Sequence, residues 1–431
     1  MWKGELMRFH IETLGCKVNT YESQYYAESL KKAGYIEVGK DDPCDICIIN
    51  TCTVTNTAAS KSRQKIHHAK KKNSNALIVL VGCYVQFIDE KQREALEADL
   101  IIGAKDKNKI VPLIDELIHE KHKMDQVKPI DQYFDFEAMP IHCFENMERA
   151  FLKVQDGCNQ FCSYCAIPFA RGRERSLSSD EVIKIAKELE EKGHQEIVLT
   201  GIHTGRYKDN DIDLACLLKL LLENTQNVYF RISSIEITEV SDELIELILK
   251  EPRICHHLHI PVQSACDETL QRMNRPYTIE EFKNRISKIR SQIPDISIST
   301  DVITGFVMES DEEFETTYQN LKEIEFSFLH VFPYSKRDGT KAASMKGEVH
   351  GTIQKERTSK LLELSKELRQ KDMERYPNIT VLIERNEGNT YFGYTNQYHP
   401  ARIESDTILS GRILTSWDTI ENGTYIVRKK A

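Results

Sequence analysis

Cys158, Cys162 and Cys165 stand in DGCNQFCSYC, three thiols within eight residues, and the next cysteine along the chain is Cys216. A structural zinc site or a saturated iron-sulfur cluster takes four protein ligands, so three leave one position open. The spacing C-x3-C-x2-C suits a cubane cluster with one iron free for an outside ligand. Zinc is the alternative, with a fourth ligand close in sequence, and none is found there. A second set is dispersed: Cys16 ends RFHIETLGC, Cys52 ends ICIINTC and Cys83 ends ALIVLVGC. If those apolar runs are neighbouring strands of a parallel sheet, their carboxyl ends lie along one edge and the three thiols converge there. The competing reading makes each a small buried core residue.

The elements that must position these residues alternate in period. RFHIETL, ICIIN, ALIVLV and ADLIIG read as strands, and YESQYYAESLKKAG, TAASKSRQKIHHAKKK and KNKIVPLIDELIHE as helices. An α/β domain with a parallel sheet follows for residues 7–125. Residues 126–148 lose periodicity and read as a linker. From 149 to 374, AFLKVQ, EIVLTG, VYFRIS, HHLHIPV, ISISTDVITG and FLHVFPYS supply six strands of a partial (β/α)6 barrel, whose working face is the carboxyl ends of the strands. A long amphipathic helix follows, with Ile353, Leu361, Leu364 and Leu368 on one face. Residues 375–431 change to period two and read as a five-stranded β-barrel.

The chain has 431 residues, a formal net charge of −9 and 12 cysteines. That balance excludes a chain coated in positive charge for indiscriminate nucleic-acid binding. No apolar run reaches the roughly 20 residues of a membrane span and the first residues lack a signal-peptide core, which reads as cytoplasmic. In a reducing cytosol clustered thiols point to metal or catalysis, not to disulfides.

LGCKVNTYES, INTCTVTNTA, VGC and DGCNQFCSYCAIPFARGRERS together resemble the methylthiotransferase family of radical S-adenosylmethionine enzymes. The aromatic Tyr164 before Cys165 matches the radical enzymes' C-x3-C-x-aromatic-C signature. LGCKVN, with VLTGIHTG, RISSIE and HVFPYSKRDGT, is most similar to the branch that modifies N6-threonylcarbamoyladenosine, whereas relatives acting on isopentenyl-adenosine or on a ribosomal-protein aspartate carry GCQMN or GCPKN. Where relatives usually have GFPGE and QSG, this chain has Gly305-Phe306-Val307-Met308-Glu309 and Gln263-Ser264-Ala265.

The resemblance implies two 4Fe-4S clusters, one on Cys158, Cys162 and Cys165 that chelates S-adenosylmethionine and one on Cys16, Cys52 and Cys83 that carries the sulfur. It implies methylthiolation of carbon 2 of N6-threonylcarbamoyladenosine at tRNA position 37, an electron donor such as flavodoxin or ferredoxin, a monomer, and a C-terminal RNA-binding module similar to TRAM. No catalytic side chain is expected beyond the cluster ligands, because the cofactor carries the hard chemistry. Phe161 and Tyr164 are expected near the cofactor's adenine. Strand ends put Thr200, Gly201, Ser234, Glu236, Gln263, Ile303 and Gly305 on the barrel's working face as cofactor contacts. Arg171, Arg175, Tyr334, Lys336 and Arg337 are placed to meet a splayed anticodon-loop adenosine.

Other features are weaker. KSRQKIHHAKKK, residues 61–72, has six basic residues and no acid, so it is an RNA-contact candidate or a solvated helix face. YFGYTNQYH offers rings for stacking bases or for core. Cys44 and Cys47 have metal spacing but no second pair. The HHLH run at 256–259 reads as inward-facing polar lining of a barrel strand. Cys143, Cys216, Cys255 and Cys266 read as free thiols. The rival of another class is a non-catalytic zinc-containing RNA-binding protein.

Overall fold

The structure, a computed structural model, describes residues 7–53, 56–72, 75–120, 122–130, 135–142, 144 and 147–429. It falls into two compact units. The first comprises Met1–Ile141, Gln155–Leu177 and Ser335–Ala343, and the second His142–Val154, Ser178–Tyr334 and Ser344–Ala431.

The first unit opens with β1 (Arg8–Thr13), α1 (Lys17–Lys32), β2 (Ile36–Glu37), β3 (Ile46–Thr51), α2 (Asn56–Lys72), β4 (Leu77–Gly82) and α3 (Cys83–Phe87). It continues through α4 (Glu90–Glu94), β5 (Leu100–Ile102), α5 (Ile110–Glu120) and β6 (Met124–Asp125). The strands form one parallel sheet in the order β2-β1-β3-β4-β5-β6. β3 and β4 lie in its middle, and their near-continuous apolar runs are buried on both faces, as a covered parallel sheet requires. The four strands read from sequence are all present; the two-residue edge strands β2 and β6 carried no readable period. Within the segment read as a linker, Met139 and Ile141 are buried and the Tyr21 hydroxyl donates to the Met139 carbonyl at 2.6 Å.

Next in chain order come β7 (Arg149–Lys153) and then β8 (Gln155–Asp156), α6 (Ile167–Arg171) and β9 (Arg175–Ser176), of which the last three belong to the first unit. β8 and β9 pair antiparallel and close the base of the cysteine loop between them.

In the second unit β7 is joined by β10 (Glu196–Thr200) and β11 (Tyr229–Ile232), and β12 (His257–His259) by β13 (Ser297–Thr304) and β14 (Phe328–Pro333). Every pairing is parallel. The Cys255 N–H to Phe230 carbonyl bond (2.8 Å) and the Ile235 N–H to His259 carbonyl bond (3.0 Å) connect the two three-stranded sheets. Six consecutive parallel strands therefore form the arc of a partial barrel. Helices α7 (Ser179–Glu191), α8 (Leu214–Asn224), α9 (Asp242–Lys250), α10 (Asp267–Arg272), α11 (Ile279–Gln292) and α12 (Asp311–Ile324) alternate with them. Capping boxes Thr278/Glu281 and Ser310/Glu313 fix the starts of α11 and α12.

Helix α13 (Gly351–Glu374) buries Leu361, Leu364 and Leu368, but Ile353 is exposed. One turn on, the same face carries Arg357, bound to Glu309 and Asp311 at 2.7 Å each, so the stripe ends in an ion pair. Six strands follow, one more than read from sequence: β15 (Asn378–Glu387), β16 (Thr390–Thr395), β17 (Pro400–Ser405), β18 (Arg412–Ser416), β19 (Thr419–Glu421) and β20 (Thr424–Lys429). Their order is β18-β15-β16-β17-β20-β19.

A buried carboxylate ties this sheet to the barrel strands. Glu196 on β10 accepts from Arg149 (2.7 Å), Arg231 (2.7 Å) and Arg412 (2.6 Å), and Arg149 also reaches Glu384 at 2.6 Å. Tyr394 and Tyr398 stack 5.0 Å apart, and the Arg149 and Arg231 guanidiniums lie over the Tyr398 ring at 5.3 and 4.8 Å. Both rings are thus spent on internal packing. Burial alone raises the Glu196 pKa, but Arg231, Arg149 and Arg412 outweigh it and hold the carboxyl well below the ordinary range. The stabilisation it gives is complete above the unfolded carboxyl pKa and is lost as pH falls through the folded value. Glu196→Ala leaves buried arginines uncompensated, so urea denaturation is expected to show a loss of about 3–5 kcal/mol; a loss below about 1 kcal/mol contradicts this account.

Candidate functional site

The dispersed cysteines follow three adjacent strands. Thr13 pairs with Asn50 and Thr51 with Gly82, so Cys16, Cys52 and Cys83 all come just past the carboxyl ends of β1, β3 and β4. Cys16 is exposed at the start of α1, while Cys52 and Cys83 are buried. Gly15 shows how close the first two loops lie: it holds φ +101°, and a Cβ there would meet the Cys52 sulfur at 2.7 Å. Glycine is needed on both counts. Burial pushes the Cys83 thiol up to about 11, opposed by the Arg171 guanidinium and reinforced by Cys16, Glu22 and Cys52.

Asn19 and Asn50 fix that edge. The Asn19 amide donates to the Leu14 carbonyl at 2.7 Å and the Thr51 carbonyl at 3.0 Å, and the Asn50 amide to the Asn19 carbonyl at 2.9 Å. Two loops that carry cysteines are thereby held by one buried amide.

The compact set lies on the loop between β8 and α6. Cys158, Cys162 and Cys165 are each partly exposed. The loop is folded back on the chain beyond it: the Cys158 N–H donates to the Gly172 carbonyl at 3.0 Å, and Asn159 is held by Glu174 at 3.1 and 3.2 Å. Gly157, at φ +74°, has the Arg173 carbonyl oxygen where a Cβ would stand, only 1.9 Å away, so no larger residue fits without moving backbone. Backbone N–H groups point at two of the sulfurs, Gln160 to Cys158 Sγ at 3.3 Å and Ile167 to Cys165 Sγ at 3.4 Å. Hydrogen bonds to cluster sulfurs help set a cluster's potential. Phe161 takes φ +49° and is half-buried between Phe169 (5.9 Å) and the Arg173 guanidinium (4.5 Å); Tyr164 is half-buried as well.

Arg171 connects both sets. It is 1% exposed. Its Nε donates to Cys83 Sγ at 3.1 Å, and its terminal nitrogens reach Asn19 Oδ1 (2.7 Å), Glu22 (2.9 Å) and Asp156 (3.3 Å). Glu22 also takes Lys107 at 2.5 Å, and Asp156 takes Arg175 at 3.2 Å. Two buried carboxylates therefore hold three cations beside the cysteines.

This placement corrects the expectation that Arg171, Arg175 and Arg337 meet RNA. The Arg175 side chain is 6% exposed, turned onto Asp156 and the Arg171 carbonyl. Arg337 is buried and bonds Thr53 and Asn56 Oδ1, the latter at 2.9 Å, in the loop after Cys52. A buried guanidinium is costly unless paired: Arg171 and Arg175 meet carboxylates, whereas Arg337 meets only the neutral acceptors Asn56 and Thr53, and its Nε has no hydrogen-bond partner among the described residues. Lys336 is exposed, Tyr334 half-buried and Arg173, which the sequence reading passed over, exposed. Asn19, Asn50 and Glu22 were likewise missed; the polarity of NTYES after Cys16 hinted at Asn19 and Glu22, and Asn50 is a lone polar residue at the end of the apolar run ICIIN.

The remaining candidates lie on the strand ends of the second unit. Thr200 is buried with no partner for its hydroxyl among the described residues, and Gly201, Ser234, Gln263 and Ile303 are half-buried. Glu236 caps the turn after β11 and pairs with Arg275. Gly305, buried at φ +65°, donates its N–H to Glu309 at 2.7 Å. Gln263 and Met308 hold φ +67° and +66°; Met308 takes a conformation that glycine adopts more cheaply, at the place where relatives carry GFPGE. Helix α2 turns Ile66 and Ala69 inward and pairs Lys65 with Glu12, Lys70 with Asp99 and Lys72 with Asp41, which leaves Lys61, Arg63 and Lys71 on its exposed face. Cys143 lies outside the described residues.

Arg171→Met leaves Glu22 to Lys107 alone and Asp156 to Arg175 alone, and removes the donor to Cys83. Chemical denaturation is expected to show a loss of about 3–5 kcal/mol, and Arg171→Lys, which keeps the charge but cannot bridge four partners, an intermediate loss. Wild-type stability in both variants contradicts the bridging role.

Residues 152–321 match the family described as the Radical SAM superfamily, and residues 8–103 the one described as Uncharacterized protein family UPF0004. The chain is 40% identical to the threonylcarbamoyladenosine tRNA methylthiotransferase MtaB of Bacillus subtilis, over 94% of this chain and 92% of that one, and 37% identical to the MtaB of Aquifex aeolicus, over 86% and 90%. A tRNA-2-methylthio-N(6)-dimethylallyladenosine synthase of Treponema denticola is 31% identical over 91% and 92%. Among solved structures, the radical S-adenosylmethionine methyltransferase TsrM of Kitasatospora setae shares the fold, with TM-score 0.55 and 11% identity over 76% of this chain and 73% of that one. With two cysteine trios in place and near full-length identity of up to 40% to these relatives, the chain belongs to the radical SAM methylthiotransferase family, in its MtaB branch.

Proposed function

We propose that the enzyme adds a methylthio group to carbon 2 of N6-threonylcarbamoyladenosine at tRNA position 37. One observation carries the reading: two separate cysteine trios, each one ligand short of a closed site, with Arg171 bonded to Cys83 of one and to Asp156, two residues before Cys158 of the other. In the domain terms of this proposal, 7–125 carries the auxiliary site, 149–374 is the radical barrel with its following helix, 126–148 links them and 375–431 is the RNA-binding module.

The donor chemistry fits the cofactors. Cys158, Cys162 and Cys165 would hold one 4Fe-4S cluster and Cys16, Cys52 and Cys83 the other, with N–H donors aimed at Cys158 and Cys165 Sγ and the Arg171 Nε at Cys83 Sγ. Bound on Cys158, Cys162 and Cys165, the first cluster would supply the electron for reductive cleavage of S-adenosylmethionine, and the second, on Cys16, Cys52 and Cys83, would supply a place for the sulfur to be methylated and transferred. Phe161 and Tyr164 flank the adenine. Thr200, Gly201, Ser234, Glu236, Gln263, Ile303 and Gly305 bind and orient the rest of the cofactor, with the Thr200 hydroxyl kept for that bond. Arg173 and Lys336 present the accessible groups for RNA, and Tyr334, whose hydroxyl is buried, offers at most its ring. The reductant is a flavodoxin or ferredoxin, and the enzyme works as a cytoplasmic monomer; no helix among the described residues is long and apolar enough to cross a membrane.

Three measurements test this. Cys162→Ala is expected to abolish reductive formation of 5′-deoxyadenosine from S-adenosylmethionine. Cys52→Ala is expected to retain it while losing the methylthiolated nucleoside. Mass spectrometry of tRNA from a deletion strain is expected to show 2-methylthio-threonylcarbamoyladenosine gone and its unmodified precursor accumulated. Loss of 2-methylthio-isopentenyl-adenosine instead overturns the substrate assignment.

A further inference from the structure

The HHLH run contributes to a second cluster of metal-ligand side chains in the barrel wall, apart from the cysteines. His259, Asp301 and His330 stand on β12, β13 and β14, three neighbouring parallel strands. His259 pairs with Ser299 and Asp301 with His330 in the ladder, so the trio occupies adjacent levels of one wall. One nitrogen from each imidazole and one carboxylate oxygen all lie within 4.8 Å of one another. Residues between them in sequence, Leu258, Ile260, Ile298 and Val302, are buried, in keeping with the two-residue alternation of a strand.

The orientation of the ligand atoms is fixed by neighbours. His259 Nδ1 lies 2.9 Å from the Ser299 hydroxyl, which also meets His257 Nε2 at 3.0 Å. That leaves His259 Nε2 facing Asp301 Oδ1 at 3.3 Å. His330 packs edge-on to Phe328 at 4.7 Å and to the His259 ring at 5.4 Å. Metal-bound histidines are characteristically held through their other ring nitrogen, as the Ser299 hydroxyl holds His259. The His259 and Asp301 side chains are 15% and 28% exposed and His330 is exposed, so an ion can reach them.

We propose that His259, Asp301 and His330 bind a divalent first-row transition metal ion. Two imidazoles and one carboxylate form a donor set that suits zinc and its neighbours in the series and leaves coordination positions open for oxygen ligands. His330 brings a second imidazole nitrogen within the same 4.8 Å as the His259 and Asp301 ligand atoms, which makes three donors from three strands. The site uses no cysteine, so it stands apart from the reading of the two trios.

The test is equilibrium dialysis of the full-length, cluster-loaded chain against Zn2+ under anaerobic conditions, followed by metal analysis. One zinc per chain beyond the iron is expected, with affinity reduced about 10-fold or more in His330→Ala and in Asp301→Asn and unchanged in His256→Ala, whose ring instead meets Asp295 at 2.8 Å. Co2+ bound in place of zinc is expected to show weak visible bands without intense thiolate-to-metal absorption. Zinc uptake that is absent, or equal in wild type, His330→Ala and Asp301→Asn, overturns the proposal. So does a Co2+ spectrum dominated by thiolate absorption, which assigns the ion to cysteine.

Discussion

A single buried guanidinium constrains the site. Arg171 comes from the helix that ends the Cys158–Cys165 loop, yet its partners are Asn19 and Glu22 on α1, Cys83 after β4 and Asp156 before the loop. An ionised side chain taken out of water destabilises the fold unless its charge and all its donors are met. The partners are therefore fixed in number and direction. Because they include Cys83 and residues close in sequence to Cys16 and Cys158, the same electrostatic condition that makes Arg171 tolerable ties together segments that carry both sets.

The rest of the first unit can be understood as support for that arrangement. A parallel sheet ends its strands along one edge, and Cys16, Cys52 and Cys83 occupy that edge in register. Asn19 spends its amide on two of the loops, Gly15 yields the space that the Cys52 sulfur takes, and Gly157 lets the compact loop close against the Arg173 carbonyl. Sites that carry out radical chemistry need positions held by packing and hydrogen bonds, since the protein supplies binding, orientation and exclusion of water while the cofactor supplies the reaction. In the second unit Glu196 has the corresponding structural role, with three arginines from β7, β11 and β18 meeting at one carboxylate.

Most of the architecture was legible because period and spacing are local. The longer strand runs of the sheet and those of the barrel were readable, as was the equivalent placement of three cysteines after β1, β3 and β4. What escaped was long-range pairing of polar groups. PFARGRERS reads as a basic surface loop, but Arg171 finds Glu22 about 150 positions away and Arg337 finds Asn56 nearly 300 away, so both are interior. The same holds for Tyr394 and Tyr398, whose period fits either a stacking surface or a packed one until Arg149 and Arg231 are seen over the rings. Short edge strands such as β2 and β19 carry too few residues to show any period.

The central claim is that the chain holds two separate three-cysteine cluster sites, not one shared site and not zinc. Mössbauer spectroscopy of anaerobically reconstituted protein, with 57Fe in the wild type and in Cys16→Ala/Cys52→Ala/Cys83→Ala and Cys158→Ala/Cys162→Ala/Cys165→Ala, addresses it most directly. The account predicts two 4Fe-4S clusters in the wild type and one, with a different spectrum, in each triple variant. Loss of all cluster signal in either triple variant, or a wild type that takes up zinc in place of iron, contradicts it.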